Sequence, residues 1–364
     1  MIFTTPKEKL LHAVSLCEKI VGKKESLPVL SCVLLDVDKE CILKATNLES
    51  GIEVSVPGEV KEKGIVAVPV TVFHQTLKAI TGDKISLKVE GGNLFIESKG
   101  TKTLIKAIPH SEFPNISISE DKKGVEISRY TLVSALHSVS YAASPSMIRP
   151  ELGSVYVLVK KDSIVCVATD SFRLAEKVIT HKGGGEMEIL IPLKHVNELS
   201  HVLERVPDEK ITLSVDEAQL IVRGNGVEFT SRATDAQFPN YKEILPKNFS
   251  TEAVLLKGDF TEMLRKARVF SGSEQRVGLH VYPKKKIFDA TAQSATIGEM
   301  SDSIDAALSG DDVDINFNIG YLSDCLSLIE SDSITLGFSG PGRPLVIRGS
   351  ADQSFTYLVM PLNR

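Results

Sequence analysis

ISLKVEGGNLFIES at residues 85–98, ITLSVDEAQLIVRG at 211–224 and ITLGFSGPGRPLVIRG at 334–349 are three versions of one stretch. In each version, apolar and polar residues alternate on both sides of a short turn-forming segment. This alternation is typical of an antiparallel hairpin with one face buried. Because the hairpin recurs about every 120 residues, the sequence predicts three copies of one repeat.

Two helices are predicted ahead of each hairpin, because apolar residues recur there at helical spacing. The first helix is marked by Leu10, Val14, Cys17 and Val21, then by Leu132, Leu136, Val139 and Ala143, and then by Phe260, Met263, Leu264, Ala267 and Phe270. The second helix is marked by Phe73, Leu77 and Ile80, then by Val196, Leu199, Leu203 and Val206, and then by Leu322, Cys325 and Ile329.

A short turn is predicted between the two helices of each repeat. Its sequence is ATN at 45–47, ATD at 168–170 and ATA at 290–292, so the threonines are 123 and 122 residues apart. Because all three copies share it, the turn is interpreted as structural. Only the middle copy continues with an apolar pair, Phe172 and Leu174, which makes the segment after this turn a candidate functional site.

The predicted fold class is α+β, with three repeated domains that each pack two helices on an antiparallel sheet. The boundaries are expected near residues 118 and 245, which gives domains of residues 1–118, 119–245 and 246–364. Triplication without functional meaning is an alternative interpretation of the repeats.

Charge is unevenly distributed along the chain. The 364 residues carry a formal net charge of −5, which by itself does not indicate a nucleic-acid partner. The first helix and following loop of each repeat, residues 7–25, 128–149 and 257–276, each carry +2, so the rest of the chain carries −11. Positive charge on three equivalent helices favours contact with phosphate groups.

The sequence lacks the common catalytic motifs: no phosphate-binding glycine loop, no nucleophile elbow and no zinc-protease helix are present. The five cysteines occupy apolar periodic positions, which favours a reducing, cytoplasmic location. The stretch with Asp311, Asp312 and Asp314 lacks the full spacing of a calcium loop. No membrane segment, metal site or cofactor is expected, and a binding protein is favoured over an enzyme.

Five motifs resemble those of one family. They are SLPVLSCVLLDV at 26–37, RPELGS at 149–154, ATDSFRLA at 168–175, FPNYKEILPKN at 238–248 and YLVMPL at 357–362. In this order and spacing the chain resembles the bacterial sliding clamps, the β subunits of the replicative DNA polymerase III. The resemblance implies three processivity-fold domains per chain and a two-chain, six-domain ring with helices lining the hole.

The resemblance also implies a function. A sliding clamp encircles duplex DNA without reading its sequence, has no catalytic activity, and tethers the DNA polymerase III catalytic subunit. Its other implied partners are the clamp loader, other DNA polymerases, ligase, mismatch-repair proteins and a second copy of the chain. A ring needs only diffuse positive charge inside, which agrees with the charge found on the first helices.

Three groups of site residues follow from the resemblance. DNA contacts are implied for Lys23, Lys24 and Arg149. The hydrophobic pocket for a partner peptide is implied to comprise Leu152, Thr169, Ser171, Phe172, Arg173, Leu174, Pro239, Ile244, Pro344, Met360, Pro361 and Leu362. The interface that closes the dimer, between domain 1 of one chain and domain 3 of the other, is implied to use Lys102, Ile105, Val269, Phe270 and Glu299.

Two other functions are kept as alternatives. The first is a metal-dependent hydrolase that processes nucleic acids with dispersed residues such as Asp311 and Asp314. The second is a ring-shaped scaffold unrelated to DNA.

Overall fold

The structure is a computed structural model that describes residues 1–22, 27–115, 124–183 and 185–362. Its helices are α1 Lys7–Ile20, α2 Val70–Ala79, α3 Arg129–Ser140, α4 Leu193–Leu203, α5 Lys257–Phe270 and α6 Ile319–Asp324. They alternate between the first and second helix of each repeat, so the predicted helix pairs are confirmed.

Antiparallel strands form the rest of the fold. The first half of the chain contains β1 Ile2–Pro6, β2 Cys32–Val37, β3 Cys41–Thr46, β4 Ser50–Val56, β5 Glu59–Glu62, β6 Gly64–Pro69, β7 Lys84–Glu90, β8 Asn93–Ser98, β9 Thr101–Ile105, β10 Val125–Ser128, β11 Ser154–Val159, β12 Ser163–Thr169 and β13 Arg173–Thr180. The second half contains β14 Met187–Pro192, β15 Lys210–Asp216, β16 Gln219–Gly224, β17 Val227–Arg232, β18 Thr251–Leu256, β19 Arg276–Tyr282, β20 Ile287–Ser294, β21 Gly298–Ser303, β22 Ala306–Gly310, β23 Val313–Asn318, β24 Ser333–Phe338, β25 Leu345–Gly349 and β26 Phe355–Val359.

The three hairpins predicted from alternation are present as β7–β8, β15–β16 and β24–β25. In the first of them Glu90 pairs with Asn93, so the loop is only Gly91 and Gly92. Both of these glycines have a positive φ, as a two-residue hairpin loop of this kind requires. The alternation of apolar and polar residues therefore predicts the two strands, and the two glycines mark the turn between them.

The chain divides into two compact units, and neither coincides with a predicted domain. The first unit comprises Met1–Val133 and Gly183–Asp235, and the second comprises Ser134–Lys182 and Ala236–Arg364. Each unit therefore holds one terminal repeat and part of the middle one. The boundaries near residues 118 and 245 stay predictions.

In the first unit, one sheet crosses from the first repeat to the second. Its strands run in the order β10-β15-β16-β17-β4-β3-β2-β6, and β17 pairs with β4 from Val227 opposite Val54 to Ser231 opposite Ser50. A second sheet runs in the order β5-β1-β7-β8-β9. Helix α1 packs against α2 and β4.

In the second unit, a sheet likewise joins the middle repeat to the third. The strands that belong to this unit run in the order β11-β12-β13-β26-β25-β24-β18-β22, and β13 pairs with β26 from Arg173 opposite Val359 to Lys177 opposite Phe355. A four-stranded sheet in the order β21-β20-β19-β23 completes the unit. The cross-repeat pairing places the segment after the middle turn beside the last strand of the chain.

The second helix of the third repeat is shorter than the apolar spacing predicts. Helix α6 ends at Asp324, and a 3₁₀ turn, Leu326–Leu328, follows it. The segment contains Gly320 and Ser323, which are weak helix formers. Cys325 and Ile329 are nevertheless buried, so the apolar pattern reports core positions rather than a continuous helix.

The Ala-Thr turn is present in two repeats, and its prediction for the third is wrong. In the first repeat the Thr46 hydroxyl accepts from the backbone N–H of Leu48 and donates to the carbonyl of Ser50. At the equivalent position after Thr291 the third repeat has Ala292, and strand β20 continues to Ser294. Because alanine has no side-chain acceptor to cap a turn, the strand continues through this position.

We expect Thr46→Val to lower the free energy of unfolding by about 1–3 kcal/mol, because the partly buried N–H of Leu48 and the buried carbonyl of Ser50 each lose their hydroxyl partner. The matched control is Thr103→Val on β9, where the threonine is half-buried and makes no side-chain hydrogen bond with the described residues. Urea unfolding followed by circular dichroism measures the difference. Equal effects of the two substitutions would contradict a structural role for the turn.

Candidate partner-peptide site and charged surfaces

A compact apolar cluster covers one face of the cross-repeat sheet in the second unit. Its buried members come from four strands and from the segment that leads into the third repeat: Val165, Val167, Leu174, Tyr241, Val346 and Leu358. Partly buried hydrophobic residues pack around them, among them Phe238, Leu245 and Met360. The alternation of β12, β13, β25 and β26 brings these side chains to a common face.

The turn after β12 orients the residues that the sequence singled out. The Thr169 hydroxyl donates to the carbonyl of Arg173 at 2.7 Å. One Asp170 carboxylate oxygen accepts from the backbone N–H groups of Phe172 and Arg173, each at 2.9 Å. Ser171 has a φ of 77°. This geometry leaves Phe172 61% exposed, while Leu174 is buried in the cluster at 2%.

Arg173 links the middle repeat to the third. Its Nε donates to Asp170 at 3.0 Å, and its guanidinium also pairs with Asp324. The same guanidinium lies over the ring of Tyr321, 4.6 Å from the centroid. Although Arg173 was predicted as a pocket residue, these contacts also give it a structural role.

The segment from Phe238 to Phe249 lies against the cluster and is tied to the sheet through Glu176. The Tyr241 hydroxyl donates to Glu176 at 2.5 Å, and Lys242 pairs with the same carboxylate at 2.5 Å. Burial, together with Glu176, raises the pKa of Tyr241, so its hydroxyl stays protonated and remains a donor. The Phe238 ring stacks on Tyr156 with centroids 5.0 Å apart.

The predicted pocket residues divide into three levels of exposure. Leu152, Thr169 and Leu174 are buried; Arg173, Pro239, Pro344, Met360, Pro361 and Leu362 are half-buried; and Ser171, Phe172 and Ile244 are exposed. The structure joins Leu174 and Met360 in one cluster, and the Met360 N–H donates to the carbonyl of Phe172 at 2.8 Å. Leu152 belongs to the 144–153 loop, where its carbonyl accepts from Ser144.

The sequence reasoning missed several members of the cluster. Val346 and Leu358 could have been found from the alternation in the last two strands, and Tyr241 stands within the quoted FPNYKEILPKN motif. The sequence alone does not predict that β13 pairs with β26, and this pairing is needed to bring these residues together.

The predicted DNA contacts are only partly described. Lys23 and Lys24 lie outside the described residues. Arg149 is exposed and pairs with Glu151, with 2.8 Å between Nε and the carboxylate. Its neighbours Met147 and Ile148 are 54% and 91% exposed, so the tip of this loop presents both charge and apolar surface.

The residues predicted for the dimer interface lie on two separate units. Lys102 is on β9, an edge strand, and Glu299 is on β21, also an edge strand. Val269 is 60% exposed, and Phe270 is half-buried at the end of α5. Ile105, however, is 4% exposed and belongs to the core of its unit, whereas Leu104 is 46% exposed. Because side chains alternate along a strand, Leu104 is the outward-facing apolar residue there.

Metal binding and thiol chemistry both depend on how histidine, cysteine and acidic side chains are placed and buried. Among the residues that the structure describes, no group of three histidine, cysteine or acidic side chains is placed to hold a metal ion. Asp314 accepts hydrogen bonds from Tyr282 and pairs with His280. The five cysteines are buried and form no disulfide, and burial raises the pKa of the Cys41 and Cys166 thiols to about 12.

None of the described helices is long and apolar enough to span a bilayer.

Three α+β repeats joined by continuous antiparallel sheets define a processivity-fold protein. Comparisons with known proteins agree with this class. Models of the N-terminal, central and C-terminal domains of the DNA polymerase III beta subunit match residues 1–117, 126–240 and 242–363. Together they match nearly the whole chain.

Whole proteins give the same result. The beta sliding clamps of Staphylococcus epidermidis and Staphylococcus aureus are each 24% identical to this chain, and the alignments cover 100% of it and 99% of the relatives. The crystal structure of the DNA polymerase III beta subunit of Thermotoga maritima is 27% identical and has a TM-score of 0.94, with coverage of 100% and 99%. A Pseudomonas aeruginosa sliding clamp crystallised with griselimycin is 22% identical, with full coverage and a TM-score of 0.93.

The chain belongs to the DNA polymerase III beta subunit family, and its function is that of a DNA sliding clamp. The resemblance inferred from the five motifs is confirmed, and so is the predicted fold class. The comparisons give no support to the alternative of a metal-dependent hydrolase.

We expect Asp170→Ala to lower the free energy of unfolding by about 1–3 kcal/mol, because two backbone N–H groups lose their acceptor. Asp170→Asn is the matched variant, since Asn47 caps the equivalent turn in the first repeat through two such bonds. The asparagine variant should retain most of the stability in urea unfolding. If both variants lost the same amount, the charge of Asp170 beside Arg173, rather than the cap, would hold the turn.

Proposed function

We propose that the chain is a non-catalytic processivity subunit whose apolar site in the second unit binds short peptide segments of DNA polymerases. The observation that carries this proposal is a buried apolar cluster with exposed apolar residues in the same chain segments that supply its members. Phe172 and Ile244 are 61% and 49% exposed, and Met360 is half-buried against the cluster. Exposed apolar residues beside a preformed core suit an apolar peptide anchor.

The partners that we propose for this site are proteins of replication and repair. They are the catalytic subunit of DNA polymerase III, the clamp loader, other DNA polymerases, ligase and mismatch-repair proteins. The griselimycin complex of the Pseudomonas aeruginosa clamp supports a ligand-binding site in this fold. Together with its partners, the chain would act in the cytoplasm.

We further propose that two copies close around duplex DNA. An encircling protein is retained by topology, so it needs only diffuse positive charge facing the phosphates and can slide over any sequence. The net +2 on the first helix and loop of each repeat supports this arrangement, and so does the exposed Arg149. Lys23 and Lys24 are proposed to act with Arg149.

For the closing contact we propose the edge strands β9 and β21 together with the end of α5. Unpaired strand edges with adjacent apolar residues are suited to pairing with another chain. Leu104 replaces Ile105 in this proposal, because Ile105 is buried within its own unit. Lys102, Val269, Phe270 and Glu299 remain candidates, and the domain boundaries near residues 118 and 245 remain part of the proposal.

We expect Ile244→Asp combined with Met360→Ala to weaken binding of a polymerase-tail peptide by at least about tenfold, because burying a hot-spot side chain contributes about 2 kcal/mol or more. These positions are preferred to Leu174, whose burial makes any polar substitution a folding defect. The control is Ile65→Asp, which changes an apolar residue of similar exposure in the first unit. Fluorescence anisotropy measures the affinity, and an unchanged value would contradict the site.

We expect clamp loaded on a nicked circular DNA to be lost when the circle is cut once, because a ring slides off free ends. Retention on the linear product would contradict encirclement.

A second experiment tests the contribution of the positively charged residues. Lys24→Glu with Arg149→Glu should reduce loading and polymerase stimulation. Unchanged loading together with unchanged polymerase stimulation in this experiment would favour a ring-shaped scaffold unrelated to DNA.

A further inference from the structure

The three repeated hairpins each carry a charged side chain at the same position of their second strand. This residue is Glu97 in LFIES, Arg223 in LIVRG and Arg348 in LVIRG. In the first hairpin Glu97 lies opposite Lys102 on the next strand, and the two side chains form an ion pair at 3.0 Å. In the second hairpin Arg223 lies opposite Glu228, and this ion pair also measures 3.0 Å. Two repeats therefore neutralise the charge directly across the sheet, as stabilising cross-strand pairs do.

The third hairpin lacks this neutralisation. Arg348 lies opposite Thr356 on β26 and opposite Thr335 on β24, and neither residue carries a charge. Within the residues that the structure describes, the half-buried Arg348 guanidinium forms no ion pair, and its Nε is buried without a hydrogen-bond partner. Because a buried N–H group without an acceptor is unfavourable, Arg348 is suited to an acceptor that comes from outside the chain.

In the strands of this sheet in the second unit, two acidic residues share the face of Arg348, and neither pairs with it. Glu176 is two strands away, and its carboxylate is already engaged by Tyr241 and Lys242. Glu252 is also two strands away, on β18. Neighbouring strands are about 4.8 Å apart, so the backbones of both acidic residues are about 10 Å or more from that of Arg348.

Arg348 borders the apolar cluster of the proposed peptide site. Val346, a buried member of the cluster, stands two residues earlier on β25, and side chains two residues apart share a face. Two residues of a strand span about 6.6 Å, which is also the length of two residues of an extended peptide. A bound segment whose apolar anchor contacts the cluster therefore brings its next few residues within reach of Arg348.

We propose that Arg348 is a specificity-determining residue of the peptide site, where it binds the carboxylate of an Asp or Glu within three residues of the partner's apolar anchor. The proposal rests on the proposed peptide-binding function and names the chemistry of the segment that the site selects. A carboxylate offers acceptors that match the forked donors of a guanidinium. The partner would thus supply the opposite charge that the first two hairpins find on their own neighbouring strand.

The test uses one polymerase-tail peptide, acetylated and amidated so that it has no terminal charge. Its acidic residues are replaced by their amides, and a single Asp is then placed at each of the three positions on either side of the apolar anchor. The matched peptide has Asn at the same position. At low ionic strength, fluorescence anisotropy should show roughly fivefold tighter binding of the Asp peptide at one of these positions, as expected for a partly exposed charge pair. Added salt should reduce this gain by screening.

Variants of the chain assign the preference to one side chain. Arg348→Gln should bind the Asp and Asn peptides equally and keep the affinity for the Asn peptide. Arg223→Gln, at the equivalent position of the middle repeat, is the matched control and should keep the fivefold preference. Arg348→Glu should reverse the preference in favour of a peptide with Lys at the same position, a result that a folding defect would not produce.

Two kinds of failure are distinguishable. Equal affinity for the Asp and Asn peptides at all positions, or a preference that survives Arg348→Gln, would overturn the proposal while peptide binding itself stands. If neither peptide bound the unchanged chain, or if binding were insensitive to Ile244→Asp with Met360→Ala, the proposed function would fail instead.

Discussion

Backbone pairing between repeats is the constraint on which the rest of this structure depends. Strand β17 pairs with β4 in the first unit, and β13 pairs with β26 in the second. Each pairing joins the edge of one repeat to the edge of the next, so that two small sheets become one. Strand edges that would otherwise invite aggregation are thereby used inside the molecule.

The apolar site follows from the same pairing. Leu174 begins β13, and Leu358 lies opposite it on β26. Asp170 and Arg173 stabilise the turn that leads into β13, and Tyr241 is held over the cluster by Glu176. The proposed peptide site would therefore draw residues from two repeats and rest on one continuous sheet. That rigidity limits the entropy lost when a partner binds.

Sequence periodicity predicted most helices and the three hairpins, but it did not predict which distant strands pair with one another. Alternation located all three hairpins, and helical spacing located the core faces of α1 to α5. Local patterns do not encode which distant strands pair, so the two-unit division of the chain was missed. The resemblance implied Ile105 for the closing contact, and the burial of Ile105 beside the exposed Leu104 is a property of the folded strand that the resemblance does not supply. The prediction of an Ala-Thr turn in the third repeat was wrong because Ala292 stands where Asn47 and Asp170 accept backbone hydrogen bonds in the other two repeats.

The central claim is that this chain works as part of a closed, two-copy ring. Sedimentation equilibrium at micromolar concentration tests it directly, because one chain has a mass of 39.6 kDa. The account predicts a single species of twice that mass, and Phe270→Asp with Leu104→Asp should convert it to the single-chain mass without loss of helical signal. A folded, stable monomer of the unchanged chain at that concentration would contradict the account.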